Sequence, residues 1–412
     1  MTISSIFQPR PSNPSVGLWG LPTSSVNWCE SDYTITFYIA EFFNSCSSLC
    51  MVSFGLLGQW SLSYLSKNVN STPRPRRPDP EIYDPLQEHP RLIGVNRIWL
   101  TWFALQIVGW GSVAFHGSLQ WWSQAFDEVP MVWTAILHLS TGLVGRYDPF
   151  PLATSSSSSS QTESKGWVAS YLVPQLRHST GIRSNGEPYT PVITATFLAH
   201  AVTCSLLLTL FRGPSQFVIF HILFGSVELA GFFLTYTISK EASDPSHPRG
   251  VGYIKGCHSD AVYKSLLRRH QKDVKTLHKR GLWFYCIAIG IWSTDLNFCE
   301  YISRIPFIYP SLNLKGFEWV YTTFNPQGHA WWHLLVSIGF YHLGILVTYD
   351  RMLAGYRTFW EGVERKEPGC LELLKEEKVK GRIVGRKGDV PVIEWIYGLI
   401  PVVAMWRPHV YR

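Results

Sequence analysis

Charge is what this 412-residue chain has least of. Asp, Glu, Lys and Arg together make up 16%, against roughly 25% in soluble domains. That shortage argues against the two or three soluble domains that length alone would allow. The first twenty residues, MTISSIFQPRPSNPSVGLWG, contain no continuous apolar core of a cleavable signal. Insertion into a membrane is therefore expected to use the first spanning helix itself. There is no Walker A loop, no Cys-x-x-Cys pair and no convincing internal repeat, so the P-loop and thioredoxin-like motifs are both missing.

Apolar and aromatic surface is abundant instead. Hydrophobic residues reach 46% and aromatics 15%, with 18 Trp, a composition that suits a polytopic membrane protein with aromatic belts at both interfaces. Seven stretches are long and apolar enough to cross about 30 Å of hydrocarbon. They lie near 34–58, 98–118, 128–146, 190–211, 216–239, 281–303 and 329–350. The expected fold is an all-α integral membrane protein, a seven-transmembrane helix bundle over 34–350. A segment 1–33 precedes it, inserts fall near 62–96, 148–188 and 240–280, and a tail covers 351–412.

Lys and Arg orient this bundle. Of 36, 32 lie in the loops 59–97, 146–189 and 240–280 or in the tail, leaving Arg10, Arg212, Arg304 and Lys315. The positive-inside rule makes those loops and the C-terminus cytosolic and the N-terminus lumenal or extracellular. The net charge of +7 then reflects topology beside anionic lipid and requires no nucleic-acid partner. The Ser-rich stretch TSSSSSSQTES reads as part of a flexible insert. PVIEWIYGLIPVVAMW, short and interrupted by Pro401, is expected to lie at the membrane surface.

Ionisable groups in spans cost about 2.5–3.5 kcal/mol each even on the mildest scale, so those present need a reason. With the orientation above, Ser112 and His116 fall at the lumenal end of the second span. Asp127 and Glu128 start the third, Asp295 and Glu300 end the sixth, and His329 and His333 start the seventh. Glu41 falls about two turns into the first. Polar groups scattered along the chain thus converge on one leaflet.

His329 and His333, four residues apart, share one helix face and can reach one metal. With His116 at matching depth they give three ligands and an open position, the pattern of a catalytic zinc site. The competing reading is a polar cluster bonding across helices. His138, His200, His221 and His342 read as packing or interface residues. A second group, Asn27, Glu30, Asp32 and Glu41, offers hard oxygen ligands suited to calcium. Acids before a helix also favour its positive end, which accounts for Glu30 and Asp32 but not for Glu41. Cys29 and Cys299 both face the oxidising side, where a disulfide is plausible; sequence leaves the pairing open.

The motifs GLWGLPTS, NWCESDY…YIAEFFN, GSVAFH, DEVPM, DLNFCE, HAWWH and WIYGLIPVV together resemble the alkaline ceramidase family, over about residues 17–410. The Ser-rich insert is consistent with a fungal member. The resemblance implies an endoplasmic reticulum or Golgi membrane amidase that cleaves ceramide, of the phyto- or dihydroceramide class, to a sphingoid base and a fatty acid. It implies zinc on His116, His329 and His333, with Ser112 bonding the substrate carbonyl or oxyanion. Asp127 would orient or deprotonate the attacking water. Calcium would sit on Asn27, Trp28 (through its backbone carbonyl), Glu30, Asp32 and Glu41, and Cys29 would pair with Cys299. Here Asn27 and Asp32 exchange amide and acid relative to the family's Asp-Trp-Cys-Glu-x-Asn, with the charge count kept. The alternative is a seven-helix lipid-sensing receptor of the progestin and adipoQ type, with little hydrolysis; Ser112 and Asp127 favour the enzyme.

Overall fold

In a computed structural model, residues 16–70, 95–147, 190–245, 247, 260–302, 306–313, 316–323, 327–364 and 390–406 are described. Among them are seven helices: α1 (Phe42–Asn70), α2 (Val95–Ser118), α3 (Trp121–Tyr147), α4 (Thr190–Leu210), α5 (Pro214–Ala242), α6 (Asp260–Ile302) and α7 (Gly328–Glu364). Four contain stretches long and apolar enough to cross a membrane: α2, α4, α5 and α7. The protein is a mostly helical, multi-pass membrane protein. The other three are more polar: α1 carries Ser and Gln, α3 carries Gln124, Asp127, Glu128 and His138, and α6 begins with a run of Lys and Arg.

Helix identity follows the expected segments, but several ends move. The first helix begins at Phe42, not near residue 34, because the chain before it is committed elsewhere. Ala40 N–H donates to the Gly117 carbonyl at 2.9 Å and Glu41 N–H to the His116 carbonyl at 2.9 Å. These bonds strap residues 31–41 to the end of α2 as a loop, so Glu41 stands at the start of α1 and not two turns inside it. The third helix begins about two turns early, at Trp121, and the seventh runs on to Glu364. The Ser-rich stretch and most of the expected inserts lie outside the described residues.

α1, α2 and α7 pack around Trp102, which is 1% exposed. Its indole rests against Gly58 of α1 and Gly344 of α7, where no Cβ would fit. Small residues letting helices approach closely is the usual membrane packing device. α4 and α5 are apolar around most of their circumference and largely exposed, as helices facing lipid are.

Two antiparallel hairpins complete the fold. β1 (Pro306–Asn313) and β2 (Gly316–Thr323) connect α6 to α7 and were not foreseen in the sequence. β3 (Val390–Ile396) and β4 (Ile400–Trp406) are joined by the three-residue turn Tyr397, Gly398 and Leu399, the first two at positive φ, as tight hairpin loops require. This is the apolar run expected at the membrane surface. It buries Ile393 and Val403 in the main core, and Tyr341 Oη donates to the Pro401 carbonyl at 2.9 Å.

Trp102→Ala leaves a cavity where three helices meet, and large-to-small changes of this kind cost about 3–5 kcal/mol. A clearly lowered unfolding temperature in detergent is expected; an unchanged one contradicts this packing.

Candidate metal centre

The loop strapped to α2 delivers a carboxylate to a histidine. Glu41 and His116 are both fully buried, and His116 Nδ1 lies 2.6 Å from Glu41 Oε2. A carboxylate accepts, so Nδ1 carries the hydrogen and Nε2 is left as a bare lone pair. That nitrogen is buried with no hydrogen-bond partner. Glu41 Oε2 also accepts from Asn44 Nδ2, and Oε1 accepts the Trp28 N–H, each at 3.0 Å.

His333 is oriented by the same logic. Ser47 donates its one hydrogen to the Asn44 carbonyl at 3.0 Å. At His333 Nδ1, 2.8 Å away, Ser47 can therefore only accept, which leaves His333 Nε2 bare. His329 is sandwiched between indoles, with Trp28 at 3.7 Å and Trp332 at 5.1 Å between ring centroids, both nearly parallel. Its Nδ1 is buried without a partner. The ligand atoms of His116, His329 and His333 all lie within 4.8 Å of one another.

Three buried imidazoles whose ligand nitrogens converge, with an unpartnered nitrogen on His116 and another on His329, fit a metal ion better than a packing cluster, because an unpaired buried polar atom is costly. Their outer hydrogens go to Glu41 and Ser47, the partners that orient metal-ligating histidines. The two Trp of HAWWH differ in place: Trp331 is 55% exposed, whereas Trp332 stacks on His329.

Ser112 and Asp127 stand beside this centre. Ser112 Oγ lies 3.4 Å from His333 Nε2 and 2.9 Å from Ser48 Oγ, and its side chain is close enough to Asp127 to interact with the carboxyl. Asp127 Oδ1 is buried without a hydrogen-bond partner. The two residues meet because Gly111 lets α2 touch the backbone of Phe126 on α3, where a Cβ would collide with a carbonyl that cannot move aside.

The oxygen-rich loop is tied together pairwise. Asn27 Nδ2 donates to Asp32 Oδ2 at 3.0 Å. Glu30 accepts the N–H groups of Phe43 and Asn44 at 2.7 and 2.8 Å, so it caps α1. Burial nevertheless raises its carboxyl to about 7, outweighing the lowering by these bonds. Cys29 and Cys299 are joined, with Cα atoms 5.3 Å apart, within the range a disulfide spans.

A cavity of about 400 Å³ opens beside the centre, with Asp127 and His329 in its wall. Met131, Phe220, Phe224, Phe232, Ile289 and Val336 make its remainder largely apolar. It also takes in Gln124, Glu128 and His221, which sequence reasoning left without a role. Ser47 was missed too; as one of several serines in α1, it has no spacing that marks it out.

The centre should retain metal. Elemental analysis of the purified protein is expected to find about one equivalent at the histidines, and His333→Ala less than a tenth of that. Equal contents contradict the site.

The family model named Ceramidase matches residues 20–361. The Dictyostelium discoideum protein dcd3A, grouped by name with alkaline ceramidases, is 28% identical over 79% of this chain and 85% of its own length. An alkaline ceramidase of Arabidopsis thaliana is 26% identical over 88% of this chain and 96% of its own. Alkaline ceramidase 3 of Mus musculus is 30% identical over a shorter stretch, 29% of this chain and 35% of its own.

Proposed function

Because the chain belongs to the ceramidase family, we propose that it is a zinc-dependent intramembrane hydrolase of the ceramide amide, of the phyto- or dihydroceramide class, releasing a sphingoid base and a free fatty acid. The observation that carries this is the histidine trio, its outer hydrogens committed to Glu41 and Ser47, beside Ser112, Asp127 and an apolar cavity. The receptor alternative would use the same trio; the Ser112–Asp127 pair favours hydrolysis. We read the seven helices as seven spans with the N-terminus lumenal, in the endoplasmic reticulum or Golgi membrane.

His116, His329 and His333 would hold the zinc, which when bound polarises an amide carbonyl and brings the pKa of water down to about 7. The protein's own groups do the rest. Asp127, with one oxygen unpartnered, accepts a proton from the attacking water as general base. It then holds that proton beside the leaving nitrogen, which needs it to depart as an amine. Ser112, between Asp127 and His333, donates to the carbonyl oxygen as charge builds there. Such a donor is worth about 10²–10³ in rate. The apolar cavity takes hydrocarbon chain, and the burial of the centre keeps bulk water away.

Calcium is assigned to the loop of Asn27, Trp28, Glu30, Asp32 and Glu41, where it would offset the buried Glu30 carboxyl. It would act as a structural ion, together with a Cys29–Cys299 disulfide. Glu41 would then serve both sites, one oxygen towards the loop and one towards His116.

Sphingoid-base release from ceramide tests the reading. Ser112→Ala is expected to lower kcat about 100-fold with little change in KM. His333→Ala should abolish release. Equal release by wild type and His333→Ala would refute the mechanism. Chelation of calcium by EGTA is expected to lower the unfolding temperature; no shift would remove calcium from the account.

A further inference from the structure

The cavity wall carries polar groups that the proposed chemistry does not use, among them the acceptors Glu128, Glu228 and His221 and the hydroxyl of Tyr285. Glu128 follows Asp127 on α3 and is buried. Its carboxylate is clamped by two amides: Gln124 Nε2 donates to Oε1 at 2.6 Å and Gln216 Nε2 to Oε2 at 3.0 Å. Gln124 is anchored in turn, since its Oε1 accepts the Ser25 N–H at 2.8 Å. Gln216 is fully buried, yet its Oε1 has no partner.

His221 on α5 supplies a further acceptor. Its Nδ1 lies 2.6 Å from the Phe217 carbonyl. A carbonyl can only accept, so Nδ1 carries the hydrogen and the neutral ring presents a bare Nε2. That nitrogen also has no partner. His221 stacks near Trp292 at 5.1 Å, Trp292 near Trp28 at 6.1 Å, and Trp28 on His329 at 3.7 Å. It is therefore a short chain of rings away from the metal centre. Gln216, which clamps Glu128, and His221 are five residues apart on α5, about 7.5 Å along the helix.

We propose that Glu128 and His221 form the subsite for the amino-alcohol head of the substrate, accepting its hydroxyl hydrogens and, after cleavage, a hydrogen of the freed amine. This rests on the hydrolase reading above. Glu128 and His221 favour a group that brings donors and disfavour an analogue that lacks them, because the buried His221 Nε2 is then left unpaired. The two amide clamps hold the Glu128 carboxylate in place before any lipid arrives, so little ordering is needed on binding.

The test compares ceramide with 1-deoxyceramide, which keeps the amide and both chains but lacks the terminal hydroxyl. Both are presented in the same phosphatidylcholine vesicles to the full chain. For wild type, kcat/KM should favour ceramide at least about tenfold, the effect of one well-placed hydrogen bond. In His221→Phe, and separately in Glu128→Gln, that ratio should fall several-fold towards one. Bound metal measured on the same preparations reports that the bundle is intact. A wild-type ratio near one overturns the subsite whatever the variants do. So does an undiminished ratio in both metal-retaining variants. Wild type that cleaves neither lipid overturns the hydrolase reading itself, and the subsite with it.

Discussion

The 2.6 Å hydrogen bond between His116 and Glu41 is the contact on which the rest of the site depends. Inside a membrane bundle neither a free carboxylate nor an unsatisfied imidazole is tolerable at low cost. Pairing them settles both problems and decides which histidine nitrogen faces the other two rings. The same carboxylate holds the Trp28 N–H, and Trp28 in turn stacks on His329. One side chain thus connects the loop before α1, the end of α2 and the start of α7. A carboxylate behind a ligating histidine also raises its basicity and fixes its ring.

Close helix contacts turn that connection into a catalytic arrangement. Gly111 brings α3 against α2 so that Ser112 and Asp127 come together, and Gly58 and Gly344 admit Trp102 into the middle of the bundle. α5 is bound less tightly into the bundle and carries much of the cavity wall. The proposed reacting groups therefore sit on the most firmly packed helices, while the more exposed α5 shapes the cavity beside them.

Much of the site was legible because its spacing is helical. His329 and His333, and likewise Ser112 and His116, are four residues apart and must share a face; charge asymmetry then placed both pairs at one end of the bundle. The start of the first helix was not legible, since the backbone of residues 31–41 is captured by carbonyls at the end of α2, a tertiary effect that local pattern does not register. Glu41 was recognised as buried and unusual, but its bond to His116 crosses 75 residues of sequence. His221 read as a packing residue because its free acceptor depends on a tautomer set by the Phe217 carbonyl and on a cavity wall drawn from five helices. The hairpin β3–β4 was read as a surface-lying apolar run; its paired strands emerge only where α1 and α7 offer a face to cover.

The central claim is that Glu41 fixes His116 for metal binding. A competition titration of zinc against a chelator, on wild type and Glu41→Gln, measures it most directly. The amide keeps the size of the side chain but weakens the charge-assisted bond, so zinc affinity should fall about 10–100-fold in a protein that still folds. Equal affinities would contradict the account.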